Sequence, residues 1–298
     1  MVLVAILWGS AFPVTRLLLD EMPPLAAGAW RTLLAAAGVA AFAALRGELQ
    51  WLRPEPGDRL RLAVLALLGG ALFLIAMNVA IFLTGASITS FVTGTYPLLA
   101  VAVAAFLLGE ALGRRVLMAL ALAALGLVLL ARPGGAHVDV LGVLVALGAA
   151  VSFAVYLGLA RLWADPARLP TIAVAFWLLI SSLLVTSALQ LVLDPEALVP
   201  HLSLTGWTAL LWLALPASAL PHMLVIATLR RLPASRAAPF LLLIPISGAL
   251  ISAALLGERL DQIQLAGAGL ILLGIAAATI RTGRGVVAPH DQPTTMPP

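Results

Sequence analysis

Residues 96–112 read YPLLAVAVAAFLLGEAL and residues 244–260 read IPISGALISAALLGERL, so one pattern occurs twice in the chain. The two copies align without a gap at an offset of 148 residues, and the register continues on both sides of the block. The matched pairs are Ser87 and Ser235, Pro97 and Pro245, Gly109 and Gly257, and Gly126 and Gly274. Matches of Leu and Ala are common by chance in an apolar chain, but Ser, Pro and Gly-Glu in one register are not. The sequence therefore predicts an internal duplication.

The composition excludes most soluble classes. Of 298 residues, 62% are hydrophobic and 10% are charged, whereas an average soluble domain carries about 25% charged residues. All 17 basic residues are Arg, and they form no cluster with aromatic residues, so we expect no nucleic-acid binding. With no Cys and four scattered His, the chain offers no metal-site pattern, and we expect neither a metal nor a cofactor.

Ten apolar stretches are close to the length that crosses a bilayer, which takes roughly 20 helical residues. They are 2–19, 25–45, 61–83, 88–108, 114–131, 140–161, 171–193, 206–228, 235–256 and 262–281. The sequence thus predicts an all-α integral membrane protein whose main partner is the lipid bilayer. The first stretch has no basic leader or cleavage site, so we interpret it as a retained membrane segment.

The arginines predict the orientation of these spans. With the N-terminus in the cytoplasm, the inner loops and tail hold 13 Arg and the outer loops hold only Arg132 and Arg259. Cytoplasmic loops are enriched in basic residues, so both termini are predicted to be cytoplasmic, with the protein in the cell (inner) membrane. Residues 286–298 are polar and rich in Pro, which predicts a disordered cytoplasmic tail.

The duplication divides the spans into two sets of five, at residues 2–132 and 138–281. Because five is odd, the second copy must enter the membrane in the opposite sense to the first. Inverted repeats of this kind are typical of transporters, in which two similar halves exchange conformations about a site near the midplane.

These residues resemble a known family. Trp8-Gly9-Ser10-Ala11-Phe12, Arg31 and the duplicated block are similar to the drug/metabolite transporter superfamily, EamA-like branch. The resemblance implies a ten-helix exporter of small metabolites, often amino acids or related polar compounds, whose cavity is lined by the first, third, fourth, sixth, eighth and ninth spans. The chain departs from the family at Val151-Ser152-Phe153, where such proteins often place a Trp, and no Lys follows the first motif.

Polar and aromatic residues inside the spans that the resemblance assigns to the cavity are the candidates for substrate contact. They are Trp8, Ser10, Asn78, Thr93, Tyr96, Ser152, Tyr156 and His222. For the Asn, Ser and Thr residues, interhelical hydrogen bonding is the alternative. His222 is the only His inside a span, so it is either a cavity or coupling residue or a packing His whose hydrogen bonds are satisfied.

Candidate gating positions are helix bends. Pro97 and Pro245 occupy equivalent places in the two copies, Gly94 lies one turn before Pro97, and Pro221 precedes His222. Proline frees a backbone carbonyl and bends a helix, which suits a gating helix but also suits simple packing.

Four of the charged residues in or beside the spans are candidates for a structural or functional role. Glu110 and Glu258 each follow a Gly at a helix end, where they either cap the N-terminus of the following helix or act as gates. An unpaired Arg at the bilayer centre costs at least about 2.5 kcal/mol. We therefore expect Arg16 and Arg31 to snorkel outwards or to pair with nearby acids; the alternative is contact with an anion or carboxylate at the outer mouth.

No carboxylate falls at the middle of a span, which favours a facilitator or a weakly coupled exporter. A carrier of cationic drugs would need an acidic side chain deep in the membrane, and a nucleotide-sugar carrier would need a basic side chain there. The sequence indicates neither kind of residue at that depth. Multidrug or nucleotide-sugar transport and a membrane sensor or scaffold remain alternatives. An intramembrane enzyme would need a nucleophile with a base, and we expect none. We expect a monomer or a weak homodimer.

Overall fold

The computed structural model describes residues 1–109, 111–132, 138–163, 170–229 and 238–279. Within these ranges the chain is helical, with short turns and no strand. The α-helices are α1 Val2–Leu19, α2 Pro24–Leu45, α3 Arg59–Ala66, α4 Phe73–Thr84, α5 Ala86–Thr93, α6 Tyr96–Leu108, α7 Arg114–Leu130, α8 Val140–Trp163, α9 Thr171–Leu193, α10 Leu204–Ala214, α11 Leu220–Leu229, α12 Leu243–Leu256 and α13 Gln262–Thr279. Glu110 and the tail at 286–298 lie outside the described residues.

Seven helical stretches of the described chain are long and apolar enough to span a membrane. They are Val2–Leu19, Pro24–Leu45, Pro56–Thr84, Ala86–Leu107, Val140–Ala160, Thr171–Leu193 and Leu204–Leu224. Phe240–Leu256 and Gln262–Ala278 are shorter apolar helices, and α7 has 17 residues. The chain is therefore a multi-pass membrane protein.

The predicted span 88–108 is broken in the middle. Helix α5 ends at Thr93, Gly94 and Thr95 form the junction, and α6 begins at Tyr96 with Pro97 at its second position. Proline has no N–H to donate, and it is tolerated in the first turn because that N–H would have no helical partner. A Cβ on Gly94 would lie 2.9 Å from the carbonyl oxygen of Ser90 and 3.2 Å from Cγ of Pro245. The two equivalent bend regions therefore touch.

Two π-helical segments interrupt other spans, at Leu67–Leu72 between α3 and α4 and at Leu215–Ala219 between α10 and α11. Their first residues are 148 positions apart, the same offset as the sequence repeat. A π turn widens the helix and leaves carbonyl groups available to other donors. In the first segment, Leu68 O accepts a hydrogen bond from Ser152 Oγ at 2.8 Å.

Glycines bring helices into direct backbone contact. A Cβ on Gly126 of α7 would lie 2.5 Å from the carbonyl oxygen of Gly267 in α13, and one on Gly274 would lie 2.7 Å from that of Ala119. Helix α1 meets α12 in the same way, since a Cβ on Gly9 would overlap Ser247. Small residues let membrane helices pack closely where no hydrophobic effect drives them together.

Candidate functional site

A group of polar and aromatic side chains forms where α1 and α2 pack against the second π segment and its flanking helices. Each helix contributes at least one member at a position inside its span, and three members belong to the sequence-predicted cavity set. We call this group the polar cluster. Its members are Trp8, Ser10, Arg31, Trp212, Ser218 and His222.

Two members of α1 contact the opposite helices. The indole N–H of Trp212 donates to Ser10 Oγ at 2.9 Å, and Ser10 Oγ itself donates to the carbonyl of Leu7 at 2.8 Å. The ring of Trp8 meets that of His222 edge-on, with 6.1 Å between ring centroids. The sequence-based candidates Trp8, Ser10 and His222 therefore lie together, while Trp212 was missed because Trp is also common at lipid-facing positions.

His222 is half-buried, and its Nδ1 lies 2.6 Å from the carbonyl oxygen of Ser218 one turn earlier. A carbonyl can only accept, so Nδ1 carries a proton, and Nε2 of the neutral ring is left as an acceptor. Pro221 is the second residue of α11, the helix that directly follows the π segment. The hydrogen bond to Ser218 holds the orientation of the ring.

Arg31 corrects the sequence-based expectation of snorkelling. Its side chain is only 7% exposed, and its Nε donates to Ser218 Oγ at 3.0 Å. It pairs with neither of the nearby acids, because Asp20 binds Arg16 at 3.2 Å one turn along α1 and Glu21 is held elsewhere. The statement that the chain has no basic group at depth is therefore wrong.

A second group, the aromatic cluster, lies on α4, α6 and α8. Phe153 is its centre, with ring centroids 4.7 Å from Phe73, 4.9 Å from Tyr96 and 5.1 Å from Tyr156. Aromatic pairs at this spacing are attractive in tilted and edge-on arrangements. Phe153 occupies the segment where the resemblance expects a Trp, so an aromatic ring is kept nearby. Sequence reasoning missed Phe73 and Phe153 because Phe in an apolar stretch gives no distinguishing signal.

The remaining cavity candidates bind backbone atoms. Thr93 Oγ1 donates to the carbonyl of Thr89 at 2.7 Å, four residues earlier in its own helix. Asn78 is 1% exposed, and its Nδ2 donates to the carbonyl of Pro24 at 3.1 Å. Ser152 binds the first π segment, as described above. In the described structure Asn78 and Ser152 tie helices together and Thr93 bonds within its own helix, and none of the three is a member of the polar cluster.

A pocket of about 380 Å³ lies at the end of the protein that the arginine distribution predicts to be outer. Its polar side chains are Arg16, Asp20, Thr84, Ser87, Glu258 and Arg259. The carboxylate of Glu258 accepts hydrogen bonds from the backbone N–H groups of Ala86 at 2.9 Å and Ser87 at 2.7 Å.

Glu258 therefore caps α5 from a distance in sequence, and the prediction that it caps the following helix is wrong. The following helix is capped by Asp261, whose Oδ1 accepts from the N–H groups of Ile263 and Gln264, both at 2.8 Å. The N–H of Gln264 is the first cause, and that of Ile263 a further one, that lowers the pKa of Asp261 below its ordinary value. Arg132 adds an ion pair with Asp261 at 3.1 Å.

Glu21 also serves the backbone of a distant helix. Its carboxylate accepts from the hydroxyl and the N–H of Ser203, both at 2.7 Å, and Ser203 Oγ in turn caps the N–H of Gly206 in α10. The hydroxyl of Ser203 contributes most, and its N–H next, to lowering the pKa of Glu21 below the ordinary value.

Acid is expected to destabilise the protein through Glu21. Its folded pKa is lowered, so its stabilisation is present above the ordinary pKa and is lost as pH falls through the folded pKa. Thermal unfolding of Glu21→Gln should therefore show a lower midpoint than wild type at neutral pH and a shallower decline between about pH 5 and pH 3. Glu196→Gln, at an exposed carboxylate on the neighbouring turn, is the control. Parallel pH profiles for Glu21→Gln and wild type would contradict this prediction.

Comparisons with known proteins place this geometry in a family. Two relatives carry the name probable amino-acid metabolite efflux pump. The Escherichia coli K12 protein is 29% identical over 280 residues, and the Salmonella typhimurium LT2 protein is 31% identical over 284 residues. Each alignment covers 92% of this chain and 91% of the relative.

One crystal structure of another protein aligns with this chain with a TM-score of 0.64 and 25% sequence identity. The alignment covers 93% of this chain and 94% of the other chain. The model of the EamA-like transporter family matches twice, at residues 1–132 and 140–280. With nearly the whole chain matched, this protein belongs to the EamA-like transporter family.

Proposed function

We propose that the protein exports small polar or aromatic metabolites, most simply amino acids or related compounds, by alternating access between two inverted five-helix repeats. The observation that carries the proposal is the presence inside the spans of two clusters, the polar cluster and the aromatic cluster, each beside one of the π segments. Buried polar groups at membrane depth are costly and mark transport pathways. The names of the two efflux-pump relatives support the same class of cargo.

Several paired features support the inverted-repeat arrangement with ten spans. The π segments start at equivalent positions, and Gly109 and Gly257 end equivalent helices with the same left-handed φ of +67°. The contact between Gly94 and Pro245 joins the two bend regions. We propose that these bends open the cavity alternately to each side, with both termini cytoplasmic in the inner membrane and the protein monomeric or weakly dimeric.

Counterflow in proteoliposomes tests the function. Vesicles containing purified protein are loaded with each unlabelled amino acid in turn, and uptake of the same labelled amino acid is measured; a nucleotide sugar and a cationic dye represent the alternative cargoes. We expect saturable counterflow of at least one amino acid. Equal uptake in empty vesicles for every amino acid would contradict the proposal.

His222→Ala and Tyr96→Ala test the two clusters with any amino acid that exchanges. Each is expected to reduce counterflow at least about tenfold, because each removes a polar or aromatic contact from the proposed path. His201→Ala, an exposed His on an outer turn, is the matched control and should exchange at the wild-type rate. Unchanged flux in both cluster variants would refute the cavity assignment.

The absence of a carboxylate at mid-span in the sequence favours facilitated export or weak coupling. Uptake with and without a pH gradient tests this part. We expect little change, whereas strong accumulation that a protonophore abolishes would contradict it.

A further inference from the structure

We propose that Arg31 is the binding site for a carboxylate group of the transported molecule, so that acids are carried in preference to their uncharged amides. The proposal rests on the proposed export function, to which it adds the chemical class of the cargo. It is argued from the position of Arg31, from its incomplete set of partners and from the geometry of the guanidinium group.

Arg31 lies well inside the membrane-spanning part of α2. It is the eighth residue of a 22-residue helix, which places it about 10 Å along the axis from the helix start at 1.5 Å per residue. The side chain does not extend back to the surface, since it is 7% exposed and bound to Ser218 in the second π segment. A charge in this position needs a compensating group close by.

No described residue supplies that group. The ion pairs in the described part of the chain join other residues, and Nη1 of Arg31 is buried without a hydrogen-bond partner. Its only described hydrogen bond is neutral, from Nε to Ser218 Oγ. A buried charge that lacks its ion-pair partner is strongly destabilising. In this proposal, a bound anion supplies the partner that Arg31 lacks.

The guanidinium chemistry selects the anion. Its planar N–H groups match the two oxygens of a carboxylate, which accepts two parallel hydrogen bonds. Ser218 Oγ accepts from Nε and keeps its own hydrogen to donate. His222 binds the carbonyl of the same Ser218 and is only half-buried, so protein atoms do not fully enclose the cluster on that side.

The first experiment compares matched acids and amides on purified wild-type protein. Thermal unfolding is followed with sodium acetate, sodium benzoate or L-phenylalanine, and with acetamide, benzamide or L-phenylalaninamide at the same concentrations and ionic strength. We expect at least one acid to raise the unfolding temperature and its amide to leave it unchanged. Equal shifts for every acid and its amide, including no shift for any acid, would overturn the proposal.

The second experiment assigns the effect to Arg31. Arg31→Gln is expected to weaken acid binding at least about tenfold, and Arg31→Lys is expected to retain part of it. Arg16→Gln, which removes an arginine that lies in the last turn of the neighbouring helix α1 and already has Asp20, is the control and should bind like wild type. Without added acid, Arg31→Gln should unfold at a temperature no lower than that of wild type, because the substitution removes an uncompensated buried charge. If Arg31 had only a structural role, the same substitution would lower the unfolding temperature.

Ser218→Ala provides a second route if Arg31→Gln does not fold. It removes the acceptor that orients Nε and should weaken acid binding by a smaller factor than Arg31→Gln. Unchanged preference for acids over amides in both Arg31→Lys and Ser218→Ala would overturn the proposal.

The two proposals can fail separately. Acid binding that depends on Arg31, without counterflow of any amino acid, would support the carboxylate site and refute amino-acid export. Amino-acid counterflow that is equally fast in Arg31→Gln would support export and refute the carboxylate site.

Discussion

Gly267→Ala is expected to lower the thermal unfolding temperature of the protein by several degrees, whereas Gly269→Ala, two residues further along the same helix, should not. A Cβ at position 267 would lie 2.7 Å from the carbonyl oxygen of Gly126 and 3.1 Å from the backbone N of Leu130. Backbone atoms cannot rotate away as a side chain can, so α7 and α13 must separate. Overpacking of this kind typically costs about 1–3 kcal/mol.

The control isolates the contact from the change of residue type. A Cβ at Gly269 has no neighbour within 4 Å in the described structure, and alanine is intrinsically favoured over glycine in a helix by up to about 1 kcal/mol. Gly269→Ala should therefore unfold at the wild-type temperature or slightly above it. Tryptophan fluorescence of the purified proteins during heating measures the unfolding temperatures of Gly267→Ala and Gly269→Ala. Equal unfolding temperatures for the two variants would contradict the packing assigned to α7 and α13.

Glu258→Ala is expected to have the second largest effect on stability, about 1–2 kcal/mol, as found for lost helix caps. The substitution leaves the N–H groups of Ala86 and Ser87 without their acceptor, and it removes a negative charge from the positive end of α5. Glu258→Gln keeps one oxygen as an acceptor but loses the charge, so its unfolding temperature should fall between those of Glu258→Ala and wild type.

The neighbouring Arg259 offers the control for Glu258. It lines the same pocket and is exposed, so Arg259→Gln changes the charge of the pocket without touching the start of α5. We expect little change in the unfolding temperature of Arg259→Gln. If Glu258→Ala were no less stable than Arg259→Gln, the cap would have no energetic importance.

Hydropathy was sufficient to predict an all-helical chain that crosses the membrane several times, because a bilayer imposes the length and apolarity of its helices. Val2–Leu19 and Thr171–Leu193 begin and end where the sequence predicts. The sequence marks Gly94 and Pro97 as a candidate bend, but the two π segments were not located, because they keep the same apolar character as the helices around them. Hydropathy reports burial in lipid and carries no information on which carbonyl is hydrogen-bonded to which donor.

The candidate site was predicted in part for a similar reason. Trp8, Ser10 and His222 are conspicuous as polar or amphipathic groups in apolar stretches, and the structure brings them together. The partner of Arg31 is 187 residues away, and the helix capped by Glu258 begins 172 residues earlier. Such pairings depend on the order in which helices pack, which a single sequence read along its length does not contain.

The contact between Gly94 and Pro245 has a consequence for the electrical integrity of the cell. A carrier that opened to both sides at once would become a pore and let ions run down their gradients. Because the two bends lie against each other, neither can straighten without displacing the other. In the proposed mechanism, in which these bends act as the two gates, the close packing of one glycine against one proline would link the gates mechanically.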